Sequence, residues 1–347
     1  MTPRRDNLLL ERGPRFENLD DSIFLSMALS DKRGVHKILS ALRVSFVTCI
    51  CLSISACALD RNSTRNLTLN KAHTTGFQDH TPRDYPGLVL MKPAQRVVTT
   101  VPSGEENKFH SSPRLIIFIE GDGAAWRNSG NTPPDNPTPD RLVPLDLAVL
   151  ESHIVSQSLY PQARPTLIAY ISRPCQFRLT PECNPTLWTN ARYGQQAQAL
   201  MNVAIENLLI TARNKWSGRE KRKPSLTLIG YSGGGVISAL LATSRDDVDC
   251  LITLAAPLDI DAWTKSQQLS PLTGSQNPAL NIRALRKINQ YHFIGENDSV
   301  VPISALGKFR SKEAAPQAHV LPGVNHRDGW VDAWNGVRKL TCLKEDP

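Results

Sequence analysis

Gly230, Ser232 and Gly234 stand in the spacing G-x-S-x-G, and the chain changes character on either side of them. Leu226-Thr227-Leu228-Ile229 is an apolar, β-leaning run of strand length, and from Val236 apolar residues recur at helical spacing through Ile237, Leu240 and Leu241. A strand, a sharp turn and a helix are therefore expected, with a serine at the bend. Such a turn is strained and thrusts the serine hydroxyl outward, and a Cβ at either flanking glycine would collide with strand or helix. The helix that begins after the serine also offers unpaired N–H groups to a negative oxygen developing beside it. The chemistry this suits is nucleophilic attack, which a neutral hydroxyl performs only with a base to take its proton. A pattern this short arises by chance in roughly one chain in ten of this length, so the partners decide.

Two partners follow in the chain. Asp298 comes after the apolar run Tyr291-His292-Phe293-Ile294-Gly295, in a G-x-x-D-x-x-V-P context, and His326 follows His319-Val320-Leu321-Pro322 in G-x-x-H. Asp259 and Asp261, just beyond Ala256-Pro257, are rival acids. Of the eight histidines, His292 and His319 fall inside strands, His153 falls in a helix, and His36, His73, His80 and His110 precede the central strand. His326 alone sits in a loop after the last strand.

The order nucleophile, acid, base, with each group expected beyond the C-terminal end of a strand, resembles that of bacterial α/β-hydrolases over about Gly87 to Leu343. The resemblance implies Ser232 as nucleophile, His326 as general base and Asp298 as the carboxylate that orients the imidazole. It also implies an oxyanion site of two backbone N–H groups, those of Gly233 and of Asp122 in Glu120-Gly121-Asp122-Gly123. The family carries His-Gly where this chain has Glu120-Gly121. The activity implied is that of a serine esterase, lipase or thioesterase working through an acyl-enzyme on a small-molecule or lipid ester, without cofactor or metal. The alternative is a non-catalytic envelope lipoprotein that keeps the fold as a binding scaffold.

The elements that must position these groups alternate. Leu115-Ile116-Ile117-Phe118-Ile119, Thr166 to Ile171, Leu226 to Ile229 and Asp249 to Leu254 are apolar runs of strand length with helical periodicity between them. An α/β fold is expected, with a mostly parallel central sheet flanked by helices on both faces. Gly87 to Met91 and Arg96 to Val101 read as paired opening strands, and Asp146 as the cap of a helix. Lys265 to Asn281 reads as a modest cap or lid. Trp126, Trp188 and Trp263 are candidates for an apolar acyl pocket, and Arg192 and Tyr193 either line that pocket or tie a helix start to the sheet.

The chain has 347 residues, ample for a sizeable core, and a net charge of +8. Part of that excess lies near the N-terminus and part in Arg213 to Lys223, at the end of an expected helix, where cations suit the dipole; no nucleic-acid module is visible. Lys37 to Cys57 carries positive charge, then an apolar stretch, then small residues, as an export signal does, with Met27 an alternative start. Ile54-Ser55-Ala56-Cys57 resembles a bacterial lipobox with Cys57 as the lipidated residue, while Ala56-Cys57-Ala58 also fits ordinary signal cleavage. The expected organisation is an extension and signal over 1–56, a disordered tether over 57–86 and a catalytic domain over 87–347. The expected product is an exported monomer, lipid-anchored in the cell envelope facing the periplasm or else soluble there or secreted. Four cysteines then remain. Cys175 and Cys183 are the expected disulfide, and Cys250 and Cys342 either pair or stay as buried thiols.

Overall fold

A computed structural model describes residues 63–94, 113–126, 132–157, 165–216, 223–311 and 318–344. Among these, eight strands form one sheet: β1 (Gln78–Asp79), β2 (Val89–Ala94), β3 (Arg114–Ile119), β4 (Thr166–Ile171), β5 (Ser225–Tyr231), β6 (Val248–Leu254), β7 (Asn289–Gly295) and β8 (His319–Leu321). Their order is β1-β2-β4-β3-β5-β6-β7-β8. The strands from β4 across to β8 pair in parallel, while β2 lies antiparallel against both β1 and β4. Among the described residues seven α-helices accompany them: α1 (63–74), α2 (Val143–Gln157), α3 (Gln195–Trp216), α4 (Gly233–Ser244), α5 (Ile260–Ser266), α6 (Ile282–Leu285) and α7 (Trp330–Lys339).

The alternation of a strand sorts its side chains onto two faces, and both faces are covered. Leu115, Ile117 and Ile119 of β3 pack in one cluster with Ala197, Met201 and Leu208 of α3 and Val236 and Leu240 of α4. Ile116 and Phe118 belong to a second cluster with Leu147 and Ala148 of α2 and Trp334 of α7. Each fully buried side chain of this size contributes roughly 1.5–3 kcal/mol by leaving water, so the central strand ties both helix layers to one plane. The mostly parallel α/β architecture expected from the sequence is the one observed.

Three expectations need correction. The stretch 57–86 is not a tether throughout: α1 lies within it, Ala72, Phe77 and Tyr85 are buried, and Lys71 Nζ stands 3.7 Å from Asp146 Oδ1. Its few apolar residues cannot make a core of their own, but each finds a place on the domain. Ala72 and Phe77 join the cluster under α2, and Tyr85, on the other face, donates to the Ser172 carbonyl. Next, α2 begins at Val143 with Pro144 in its first turn, so Asp146 lies inside the helix and its N–H already reaches Leu142 O at 3.0 Å. Finally, β2 pairs with β1 and β4, whereas the expected partner Arg96 to Val101 lies outside the described residues.

The Lys265 to Asn281 excursion is pinned rather than free. Ser275 Oγ donates to Asn190 O at 2.7 Å, and Asn277 bridges Asp259 and Asp261. Two disulfides join Cys175 to Cys183 and Cys250 to Cys342, as an oxidising, exported environment permits. Among the described residues no helix is long and apolar enough to cross a membrane. Residues 1–62, with Cys57 and the expected signal, lie outside them.

Candidate active site

Ser232 sits between β5 and α4 with φ 51 and ψ −124, a left-handed conformation unusual for a residue with a Cβ. Its N–H is tied to Leu254 O at 2.8 Å. The flanking glycines are sterically obligatory: a Cβ on Gly230 would lie 2.3 Å from Gly234 O, and one on Gly234 would lie 2.4 Å from the carbonyls of Ile119 and Glu120. The backbones of β3, β5 and α4 thus meet at distances that no side chain fits. Ser238, one turn into α4, is buried and donates to Gly234 O.

The acid and base loops are drawn together in the same way. A Cβ on Gly295 would meet Val324 O at 2.5 Å, and the N–H groups of Glu296 and Asn297 reach Leu321 O at 3.0 Å and Val324 O at 2.9 Å. That contact places the turn after β7 beside the turn after β8. Within it, Asp298 Oδ1 accepts the N–H groups of Val300 (2.9 Å) and Val301 (2.7 Å), which leaves Oδ2 facing His326 Nδ1 at 2.8 Å. The Asp298 side chain is fully buried and that of His326 is 15% exposed. A buried carboxylate fixed on one oxygen by its own turn selects the tautomer with hydrogen on Nδ1, leaving Nε2 as the acceptor.

His326 is also held from the serine side. The Tyr231 hydroxyl donates to the His326 carbonyl, the two rings lie 5.4 Å apart, and Trp330 Nε1 donates to Asn325 O at 3.0 Å. The rival acids are committed elsewhere. Asp259 caps α5, accepts Asn277 Nδ2 at 3.0 Å and accepts the Lys308 N–H at 3.1 Å; Asp261 accepts Asn277 Nδ2 at 2.9 Å. His292 is buried between Thr253 Oγ1 and Gln290 Oε1, and burial pushes its pKa down to about 3.

The loop after β3 packs against the serine turn. A Cβ on Gly121 would come 3.3 Å from Ser232 Cβ, and one on Gly233 would overlap the Asp122 carboxylate at 1.9 Å from Oδ1. Among the described residues, neither the Asp122 nor the Gly233 N–H donates to a protein acceptor. Glu120 is buried, with Oε1 accepting the Gly121 N–H (2.9 Å) and Oε2 facing the Tyr170 hydroxyl (3.0 Å). Burial pushes its pKa up to about 8, so the side chain is largely protonated at neutral pH.

Residues around Asp122 are the part that sequence reasoning left undecided or missed. Arg173 Nη1 lies 2.8 Å from Asp122 Oδ1, Arg192 Nε lies 3.0 Å from Oδ2, and the Tyr193 hydroxyl donates to Oδ2. Gln176 Nε2 holds Gly121 O at 2.9 Å. Arg192 and Tyr193 therefore tie the entry of α3 to the loop after β3. Their only signal in the sequence was their place just before a helix, and Arg173 carried none. Of the three tryptophans expected at an acyl pocket, Trp188 and Trp263 are buried, with Trp263 Nε1 donating to Val300 O, and Trp126 is 42% exposed. Among the described residues no group of three or more His, Cys, Asp or Glu side chains could hold a metal ion.

No family model and no curated protein matches the chain. Solved structures resemble it at low identity. A Mycobacterium tuberculosis puromycin-hydrolyzing peptidase is 17% identical, with a TM-score of 0.47, and matches 76% of this chain. This chain spans only 37% of that protein's length. An α/β serine hydrolase without lid from Xanthomonas campestris is 12% identical over 78% of this chain and 96% of its own, with a TM-score of 0.42. A Coxiella burnetii α/β serine hydrolase homologue is 17% identical over 76% and 94%, with a TM-score of 0.38.

Proposed function

We propose that this chain is a serine hydrolase that cleaves an acyl ester or related bond through Ser232, His326 and Asp298. Two features support this reading: a serine on a strained strand-to-helix turn, and an imidazole–carboxylate pair whose histidine is held through its carbonyl by Tyr231, the residue beside that serine. In the first step Ser232 Oγ bonds to the substrate carbonyl carbon as His326 Nε2 takes the hydroxyl proton. The carbonyl π electrons move to oxygen, and the N–H groups of Gly233 and Asp122 receive that charge, each donor contributing roughly 3–4 kcal/mol. Collapse expels the alkoxide or thiolate, which collects the proton from His326, and water then releases the acyl group by the same path in reverse.

The N-terminal sequence supports export, with Cys57 as the lipidated residue. Labelled palmitate incorporated by the full chain and not by Cys57→Ser checks that assignment, and equal incorporation contradicts it.

The activity is tested with p-nitrophenyl esters of graded acyl length. A burst of p-nitrophenol equal to the enzyme concentration, absent from Ser232→Ala, is expected from an acyl-enzyme. Folded protein that shows neither burst nor turnover with any chain length would instead favour a binding scaffold.

A further inference from the structure

The loop that supplies one of the two proposed oxyanion donors ends in a carboxylate, which is a difficulty for the chemistry. The Asp122 side chain lies against the Cα of Gly233, beside the place where negative charge would develop. Left alone it would oppose the reaction it flanks. Two arginines surround it. Arg173, in the turn after β4, and Arg192, at the entry of α3, are 3% and 4% exposed, and both reach Asp122. The Arg173 guanidinium also donates to the Arg192 carbonyl, so the two turns are locked together. Tyr193 adds a hydroxyl on the carboxylate and presents its ring to both guanidinium groups at 5.4 Å.

One carboxylate against two guanidinium groups leaves one positive charge, and the cluster does not spend its whole hydrogen-bonding capacity internally. Among the described residues, Arg173 Nε and Arg192 Nη1 are buried without a hydrogen-bond partner, and Arg192 Nε, 3.0 Å from Asp122 Oδ2, pairs with it by charge and not by an aligned hydrogen bond. The nearest other acid on this loop, Glu120, is buried and carries little charge at neutral pH. Burying two cations around a single anion is costly for stability alone, because desolvation exceeds what one partner returns.

Resting on the hydrolase reading above, we propose that Arg173 and Arg192 are positioning residues for the oxyanion site. They fix the Asp122 loop so that its N–H faces the carbonyl oxygen, and their net positive charge offsets Asp122 and stabilises the tetrahedral oxyanion. This charge acts through space in a site of low dielectric, so it favours the transition state over the neutral bound ester.

The test separates charge from packing. Arg192→Gln removes the net charge while leaving a polar amide on a shorter stem; kcat is expected to fall about 10- to 100-fold with KM changed less than about threefold. Adding Asp122→Asn to Arg192→Gln restores one net positive charge, and at least a tenfold recovery of kcat is expected. Arg192→Lys keeps the charge in a smaller head and is expected to stay within about fivefold of wild type, which tests the same point if the glutamine variant does not fold. An unchanged kcat in Arg192→Gln, a double variant no faster than the single, or a lysine variant more than about fivefold slower than wild type overturns the proposal. Absence of turnover in wild type would instead remove the hydrolase reading on which it rests.

Discussion

His326 Nδ1 and Asp298 Oδ2 meet at 2.8 Å across the ends of two parallel strands, although 28 residues separate them along the chain. Gly295 makes the meeting possible, since any side chain there would push the turn after β8 away by striking Val324 O. The pair is therefore a property of the strand ends and not of flexible side chains reaching towards each other. Its chemical value depends on which nitrogen carries the proton.

Asp298→Asn tests that dependence. An asparagine still accepts the Val300 and Val301 N–H groups through its oxygen, so the turn is kept. Its amide, however, can only donate towards Nδ1, which forces the imidazole proton to Nε2, and kcat is expected to fall by about 10⁴. Asp259→Asn is expected to act differently. It keeps an oxygen for the cap of α5 but turns an amide N–H group against the Lys308 N–H, lowering the melting temperature while the folded fraction keeps its kcat. Equal losses of kcat in the two variants would contradict the assignment.

Substituting the turn glycines tests how tightly the serine is built in. Gly230→Ala and Gly234→Ala each place a Cβ within 2.4 Å of backbone oxygen, which cannot move aside as a side chain would. Each is expected to cost about 2–4 kcal/mol in urea unfolding. Gly336→Ala in α7 meets nothing within 4 Å and is expected to be neutral or to stabilise by up to about 1 kcal/mol. Similar costs at all three positions would show that the close approach at the serine is not what the two glycines serve.

Stability should depend on pH through two buried groups with opposite slopes. Glu120, faced by Tyr170 and the Gly121 N–H and influenced by Asp146, has its pKa raised by burial from 4.5 to about 8. Its contribution is complete below pH 4.5 and is lost as pH rises to 8. His292, faced by Thr253, Gln290, Phe309 and the charge of His319, has its pKa lowered by burial from 6.5 to about 3. Its contribution is present above pH 6.5 and is lost as pH falls to 3. The slopes oppose between pH 4.5 and 6.5, so only the Glu120 slope remains from 6.5 to 8. Melting temperature is expected to fall across that interval in wild type and to stay flatter in Glu120→Gln; parallel curves would contradict it.

The disulfides should differ in what they contribute. Cys250–Cys342 closes 92 residues, joining β6 to the chain beyond α7, whereas Cys175–Cys183 closes 8. Chain entropy gives roughly 4–5 kcal/mol for the first and roughly 2–3 kcal/mol for the second. Cys250→Ser with Cys342→Ser should therefore unfold at lower urea than Cys175→Ser with Cys183→Ser. The reverse order would mean that the short loop, which also carries Gln176 against Gly121, is the more important restraint.

The parts of this architecture written in local pattern were legible before the structure. The strands β3 and β4 are, past their first residues, apolar runs buried on both faces, and β5 and β6 carry such runs over 226–229 and 250–254, so little polar alternation confuses them; β7 is legible from its buried C-terminal half. Ser232, Asp298 and His326 were legible because each stands just past such a run. Arg173 was not, because its role is set by a contact 51 residues away in the chain, with Asp122, and nothing near it signals that contact. The helix over 63–74 was missed for a related reason: composition measures whether a segment can fold alone, whereas Ala72 and Phe77 fold onto a surface made by α2. Asp146 looked like a cap because it precedes an apolar run, but Pro144 at the first turn starts the helix earlier.

The measurement that bears most directly on the central claim is covalent labelling by a fluorophosphonate, read by intact mass and by peptide mapping. A single adduct on Ser232 is expected in wild type, absent in Ser232→Ala, retained in Ser238→Ala and formed at least a hundredfold more slowly in His326→Ala. An adduct that persists in Ser232→Ala, or well-folded wild type that takes up none, would contradict the account.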